Sequence, residues 1–80
     1  MAKFVLGGES FDLEKEDFIS AVKGVPPSPI RKYAIRAHGK KYPIKQVVSR
    51  ATKLGVARFT AHDAHRVLRK VDIDILVEEI

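Results

Sequence analysis

Apolar and polar positions alternate at the start of the chain and then change to the spacing of a helix. Gly7-Gly8 suits a two-residue turn because glycine accepts positive φ, so the flanking residues predict a β-hairpin with Phe4 opposite Phe11. Apolar residues at i, i+3, i+4 and i+7 within residues 18–25 then predict a helix. We expect Asp12 to cap the start of that helix.

The middle of the chain repeats the order hairpin, aromatic residue, helix. Residues 31–37 alternate, His38-Gly39 forms the expected turn, and residues 40–42 form the return strand. An apolar stripe over residues 44–54 predicts the clearest helix of the chain. Gly55 is expected to end it.

The last third predicts one more helix and one more strand. Thr60 and Asp63 are spaced as a capping box, which places the start of a helix at Ala61. Residues 73–77 alternate and can pair with a hairpin. The order ββα–ββα–αβ predicts an α+β fold: two β-hairpin–helix units, then a helix and a C-terminal strand, as a small single-sheet domain spanning residues 1–80.

Charge is sorted by position along this pattern. Residues 31–70 contain twelve lysines and arginines and a single acid, Asp63, whereas the whole chain carries a net charge of +5. A segment this basic repels itself unless a polyanion neutralises it, so it favours a surface for nucleic acid. The alternative is a solvated basic face that only aids solubility.

The second hairpin adds a local argument. Its turn places Arg36 opposite Lys41, and like charges facing each other across a strand pair are destabilising, so an anion bound between them would stabilise the hairpin. The candidate nucleic-acid-binding residues are the basic and polar side chains expected on the exposed faces of the hairpin and two helices: Arg36, His38, Lys40, Lys41, Lys45, Ser49, Arg50, Lys53, His62, Arg66 and Arg69.

One stretch is more specific than the rest of the chain. Residues 39–45 are Gly-Lys-Lys-Tyr-Pro-Ile-Lys, and the pattern continues through Phe59-Thr60, Ala64, Leu68 and the terminal strand. It resembles the small N-terminal head domain of modification-dependent (type IV, McrA-like) restriction endonucleases with an HNH nuclease, in which Gly-Lys-x-Tyr-Pro-x-Lys occupies a hairpin-to-helix junction. The resemblance covers residues 31–77. It departs at 71–73, where Val-Asp-Ile replaces the family's Leu-Gly-Phe.

The resemblance implies a stand-alone module that binds DNA, with sensitivity to base modification left open. Tyr42 is expected to pack on the core beside Ile35, and Pro43 to start the helix. The residues that the resemblance assigns to the motif are Gly39, Lys40, Tyr42, Pro43 and Lys45.

Other chemistry is less well supported. There is no cysteine, which excludes disulfides and cysteine zinc sites. His62 and His65 with a distant His38 make a poor metal site without a carboxylate partner. We therefore predict no metal, no cofactor and no enzymatic activity.

The expected partner is duplex DNA. RNA is less favoured because the few aromatic side chains are needed for the core and leave little for base stacking. The alternative is a protein-interaction module that docks an acidic partner or self-associates. No apolar run is long enough for a membrane span or a signal sequence, so we expect a cytoplasmic protein without membrane contact.

Overall fold

The helices and strands follow the order that the sequence predicts. The computed structural model describes residues 2–30 and 32–77, so Arg31, with which the second hairpin was expected to begin, lies outside the described residues. The elements are β1 (Ala2–Leu6), β2 (Glu9–Leu13), α1 (Lys15–Ala21), β3 (Tyr33–Ala37), β4 (Lys40–Pro43), α2 (Ile44–Thr52), a 3-10 turn (Val56–Arg58), α3 (Ala61–Lys70) and β5 (Leu76–Val77).

The α+β class is confirmed, but the single sheet is wrong. The described strands form two antiparallel sheets: β1 with β2, and a second sheet in the order β4–β3–β5. The first hairpin turns its buried Phe4 and Leu6 into the shared core. The Phe4 ring lies against Phe18 of α1, with centroids 6.0 Å apart. This hairpin therefore packs face-on against the helices instead of pairing edge to edge with the second hairpin.

The registers of both hairpins agree with their turns. Phe4 lies opposite Phe11, and the two rings stack with centroids 5.4 Å apart. In the second hairpin His38 and Gly39 have φ of 53° and 75°, the positive values that a type I′ turn needs. That turn places Arg36 opposite Lys41, as predicted.

The start of α1 differs from the prediction. Asp12 belongs to β2, and Glu14 is the N-cap in a reciprocal capping box with Asp17. The Glu14 backbone N–H donates to the Asp17 carboxylate at 2.7 Å. The strand continues to Leu13 because that side chain packs against the core, so the helix starts two residues later than the acidic pattern indicated.

Two helices end in the left-handed conformation without glycine. Lys53 follows α2 with φ 65°, so Gly55 does not end this helix as predicted. Because the chain reverses here, Leu54 comes close to the first hairpin. The approach is tight at Gly7, since a Cβ atom added to this glycine would lie only 3.2 Å from Leu54 Cδ1. After α3, Asp72 has φ 61° and takes the place of the glycine in a Schellman motif. In that motif the Ile73 N–H donates to Leu68 O at 3.0 Å.

Tyr42 lies at the centre of the domain, paired with Ile35 across β3 and β4 as predicted. Its side chain is 1% exposed. The hydroxyl lies 2.7 Å from Val25 O and 3.2 Å from Val22 O, so it bonds the chain that leaves α1 to the second hairpin. Pro43 is the N-cap of α2, next to the first helical residue Ile44.

The first prediction concerns this hydroxyl. Tyr42→Phe keeps the ring and removes the donor to Val25 O, while Val22 O still accepts from the Val25 N–H, so we expect a loss of about 1–3 kcal/mol in the free energy of unfolding. Urea denaturation measures it. Tyr33→Phe is the matched control, because no described residue bonds the hydroxyl of this half-buried ring, and should change stability little. Equal stability of Tyr42→Phe and wild type would contradict the assignment.

Candidate nucleic-acid interface

The second hairpin presents the first group of predicted residues. Arg36 and Lys41 face each other across β3 and β4, and both are exposed. Lys40, at the end of the turn, is also exposed. Three exposed cations thus lie on the two strands next to the His38-Gly39 turn, as the sequence predicted.

His38 has a different environment from its neighbours in the turn. Its Nε2 lies 2.8 Å from Ile19 O, so the imidazole donates to a carbonyl of α1. It also occupies the left-handed position of the turn. These two roles account for His38 structurally and direct its ring toward α1, although it was predicted to contact nucleic acid.

The second group lies on α2. We call Lys45, Arg50 and Lys53, the residue that follows the helix, the α2 cation row. The Lys45 ammonium lies 5.6 Å from the centroid of the Phe59 ring, a cation–π distance. Arg50 and Lys53 are exposed and line one shallow depression together. Arg50 also lines a second depression together with Lys45, so the structure brings Arg50 next to each of the other two residues.

Two polar residues of α2 are engaged within the fold. Ser49 Oγ donates to Leu54 O and thereby helps to close the end of α2. The Gln46 amide bonds the proline-rich connector, residues 26–29 between α1 and β3: it accepts from Ser28 N–H at 2.9 Å and donates to Pro26 O at 3.1 Å. Ser49 was predicted to contact nucleic acid, but its hydroxyl proton is already used.

The third group lies on α3. His62, Arg66 and Arg69 are all exposed, as predicted. Arg66 forms an ion pair with Asp63 at 3.6 Å. In contrast, Arg69 has no ion-pair partner among residues 2–30 and 32–77. The exposed face of α3 thus adds cationic groups to those of α2, against which it packs.

A groove joins the connector, β3 and α2. Its volume is about 380 Å³, and none of its described lining residues is acidic. Lys32, Lys45 and Arg50 supply three cations, and Ala61 brings the start of α3 to its edge. We call it the basic groove; it is lined by Ser28, Pro29, Lys32, Tyr33, Pro43, Ile44, Lys45, Gln46, Ser49, Arg50, Val56 and Ala61.

The groove includes residues that the sequence did not point to. Lys32 and Tyr33 follow the prolines of the connector, and the Lys32 ammonium lies 5.3 Å from the centroid of the Tyr33 ring. Tyr33 also meets the His65 ring edge-on, with centroids 5.0 Å apart. In the sequence, only the adjacent lysine and tyrosine after the prolines could have pointed to a binding site here. No neighbouring residues indicated that α2 would lie on the opposite side of the groove.

One cation of the basic segment has a structural role. Arg58 donates to Gly7 O at 2.8 Å and lies 3.8 Å from the Glu9 carboxylate. It bonds the 3-10 turn to the tip of the first hairpin. Part of the charge excess in residues 31–70 is therefore used inside the protein.

The family model for SCO5918-like proteins matches residues 2–78. This chain belongs to the SCO5918-like family. The matched segment contains both hairpins, all three helices and every residue of the candidate interface. No curated protein and no solved structure matches the chain.

Two further features bear on the chemistry open to this member of the SCO5918-like family. No helix in the described part of the chain is long and apolar enough to span a membrane. Within the same residues, no group of three or more histidine, aspartate or glutamate side chains is arranged to hold a metal ion.

The only acid in the basic segment serves the start of α3. Asp63 accepts from the Thr60 backbone N–H at 3.1 Å, and its own N–H donates to Thr60 Oγ1 at the same distance. The hydrogen bond from the Thr60 backbone is the main reason that the pKa of Asp63 lies below its ordinary value of 3.8; bonding with the Thr60 side chain is the second.

The second prediction concerns the pH dependence of this cap. A lowered pKa means that the ionised Asp63 stabilises the fold above about pH 4, and that this contribution is lost as the pH falls through the folded-state pKa. We expect Asp63→Asn to lose less stability than wild type between about pH 5 and about pH 2.5, as measured by thermal melts. Parallel profiles for Asp63→Asn and wild type would contradict the cap.

Proposed function

We propose that this protein is a small module that binds duplex DNA through the second hairpin and the α2 cation row. The observation that carries the proposal is that Arg36, Lys40, Arg50 and Lys53 are exposed and have no ion-pair partner among residues 2–30 and 32–77. Cations held close together and not neutralised by acids gain most from a polyanion, because binding releases the counterions condensed on the DNA.

Some residues of the hairpin-to-helix motif at positions 39–45 have structural functions, and others are available for binding. Gly39 supplies a positive φ, Tyr42 fills the core, and Pro43 occupies the N-cap position of α2. Lys40 and Lys45 have none of these structural functions. The two lysines are therefore the members of the motif available to contact phosphate, in keeping with the resemblance to the head domains of modification-dependent endonucleases.

The proposal makes phosphate contacts the main source of affinity, with modest sequence specificity. About six contacts, three from the hairpin and three from α2, correspond to a log–log salt slope of about −5. Comparing plain and cytosine-methylated duplexes tests whether a modified base is recognised. We take the protein to act in the cytoplasm, without catalysis and without a metal or cofactor.

The third prediction uses the left-handed position of Lys53. Lys53→Gly removes one cation and also relieves the strain of a side chain at φ 65°, so it should increase the free energy of unfolding by about 0.5–1 kcal/mol. The same variant should weaken duplex binding about threefold to tenfold and reduce the magnitude of the salt slope by about 1. Fluorescence anisotropy with a short duplex measures binding. Because the variant is the more stable protein, weaker binding cannot arise from misfolding.

Two matched controls complete this experiment. Asp72→Gly relieves the same type of strain at the end of α3 without removing a cation, and should bind DNA at least as well as wild type. Lys23→Ala removes an exposed cation near the end of α1 and should leave the salt slope unchanged. If Lys53→Gly binds as tightly as Asp72→Gly, the α2 cation row is not the DNA site. If wild type ignores DNA even at low salt and forms a salt-sensitive dimer, the protein-interaction alternative replaces the proposal.

A further inference from the structure

The basic groove differs from the rest of the cationic surface because most of its wall is apolar. Pro29, Pro43, Ile44 and Val56 contribute side chains without polar groups, and Tyr33 adds an aromatic ring. A duplex phosphate backbone makes no use of such a wall. Its volume of about 380 Å³ falls within the range of small-ligand sites.

The polar groups at the groove fall into two classes. Gln46 and Ser49 are bonded to main-chain groups of the fold, which fixes the walls. Lys32, Lys45 and Arg50 carry positive charge, and no acid that the structure describes lies among the lining residues to offset it. The groove thus combines rigid apolar walls with excess positive charge.

We propose that the basic groove binds a single nucleotide, that is, a phosphate monoester attached through a sugar to a flat ring. Lys45 and Arg50 lie on successive turns of α2 and bind the phosphate, Arg50 by a forked pair of N–H groups. The ring packs against Tyr33 and the proline side chains. Lys32, whose ammonium lies 5.3 Å from the centroid of the Tyr33 ring, adds a third positive charge to the same groove.

This ligand has two possible sources with the same chemistry. It is either a free nucleoside monophosphate or the unpaired terminal nucleotide of a DNA strand. The nucleotide site shares Lys45 and Arg50 with the proposed duplex surface. It does not require duplex binding, because the apolar wall and Tyr33 would hold a single nucleotide in the groove without the hairpin tip.

The experiment is a titration of the full chain with deoxyadenosine monophosphate, followed by amide chemical shifts. Inorganic phosphate and deoxyadenosine are titrated separately as the two halves of the ligand. We expect saturable shifts at Lys32, Tyr33 and Lys45, with the nucleotide binding at least about tenfold tighter than either half, because charge-assisted and apolar contacts then act together. Arg50→Ala should weaken nucleotide binding about tenfold.

A groove-filling variant separates this site from the duplex site. Val56 is 52% exposed on the groove wall, so Val56→Trp occupies the groove without altering charge or core. It should lose nucleotide binding and retain duplex binding and its salt slope. Val5→Trp, at a 59% exposed position on β1, is the matched control and should bind nucleotide like wild type.

Each outcome decides the matter. Equal binding of nucleotide by Val56→Trp and wild type, or no localised shifts at about 10 mM nucleotide, overturns the proposal. Equal affinity for phosphate alone does so as well, since it leaves only a non-specific anion effect. If the nucleotide binds as predicted, a duplex with one unpaired terminal nucleotide is compared with a blunt duplex of the same length, because both compete for Lys45 and Arg50. Stronger displacement by the unpaired end identifies the strand end as the source, and equal displacement identifies the free nucleotide.

Discussion

The buried hydroxyl of Tyr42 determines how the two halves of the domain meet. It lies between the main chain at the end of α1 and the strand that leads into α2. Since Pro43 and Ile44 follow directly, the position of Tyr42 also fixes where α2 starts and which face it turns outward. The Gln46 amide, one turn later, bonds the proline-rich connector on the same side. Two side chains of one short segment, Tyr42 and Gln46, thus hold the chain from Val22 to Ser28 beside α2, and the groove lies where this chain continues toward β3.

The outward face of the second half of the chain carries charge that the fold does not need. Tyr42, Pro43 and Gln46 are used for structure, and so is Arg58. Lys40, Arg50 and Lys53 have no such function, and Lys53 occupies a left-handed position that glycine would adopt more readily. Lys53 is therefore exposed at a conformational cost that the proposed phosphate contact would offset.

The sequence predicted the local parts of this fold well, and for a physical reason. Turn geometry depends on two or three neighbouring residues, so Gly7-Gly8 and His38-Gly39 specified both hairpins and the pairing of Arg36 with Lys41. The Thr60 and Asp63 cap is equally local. The number of sheets was not predictable in this way, because it depends on whether Phe4 and Leu6 pack against helices distant in sequence. Glycine often ends a helix, so the sequence favoured Gly55 as the end of α2. The chain instead turns into the left-handed conformation at Lys53, and Leu54 then lies against the first hairpin.

In the candidate interface, too, features set by neighbouring residues could be predicted, and features set by the packing of distant elements could not. Exposure of the α2 and α3 cations could be predicted from helical periodicity. The engagement of His38 with Ile19 O, and the meeting of Lys32 with Lys45 and Arg50 at one groove, depend on how distant elements pack. The side chains that define the groove were thus recognisable as basic or aromatic, but not as neighbours.

The most direct test of the central claim is a map of amide chemical shifts in the wild-type protein on addition of a short duplex at low salt. If duplex DNA binds as proposed, the largest changes fall in the second hairpin and along α2, α1 and the first hairpin change little, and all changes diminish as salt is raised. Largest changes in α1 and the first hairpin, or none with any duplex, would contradict the proposal.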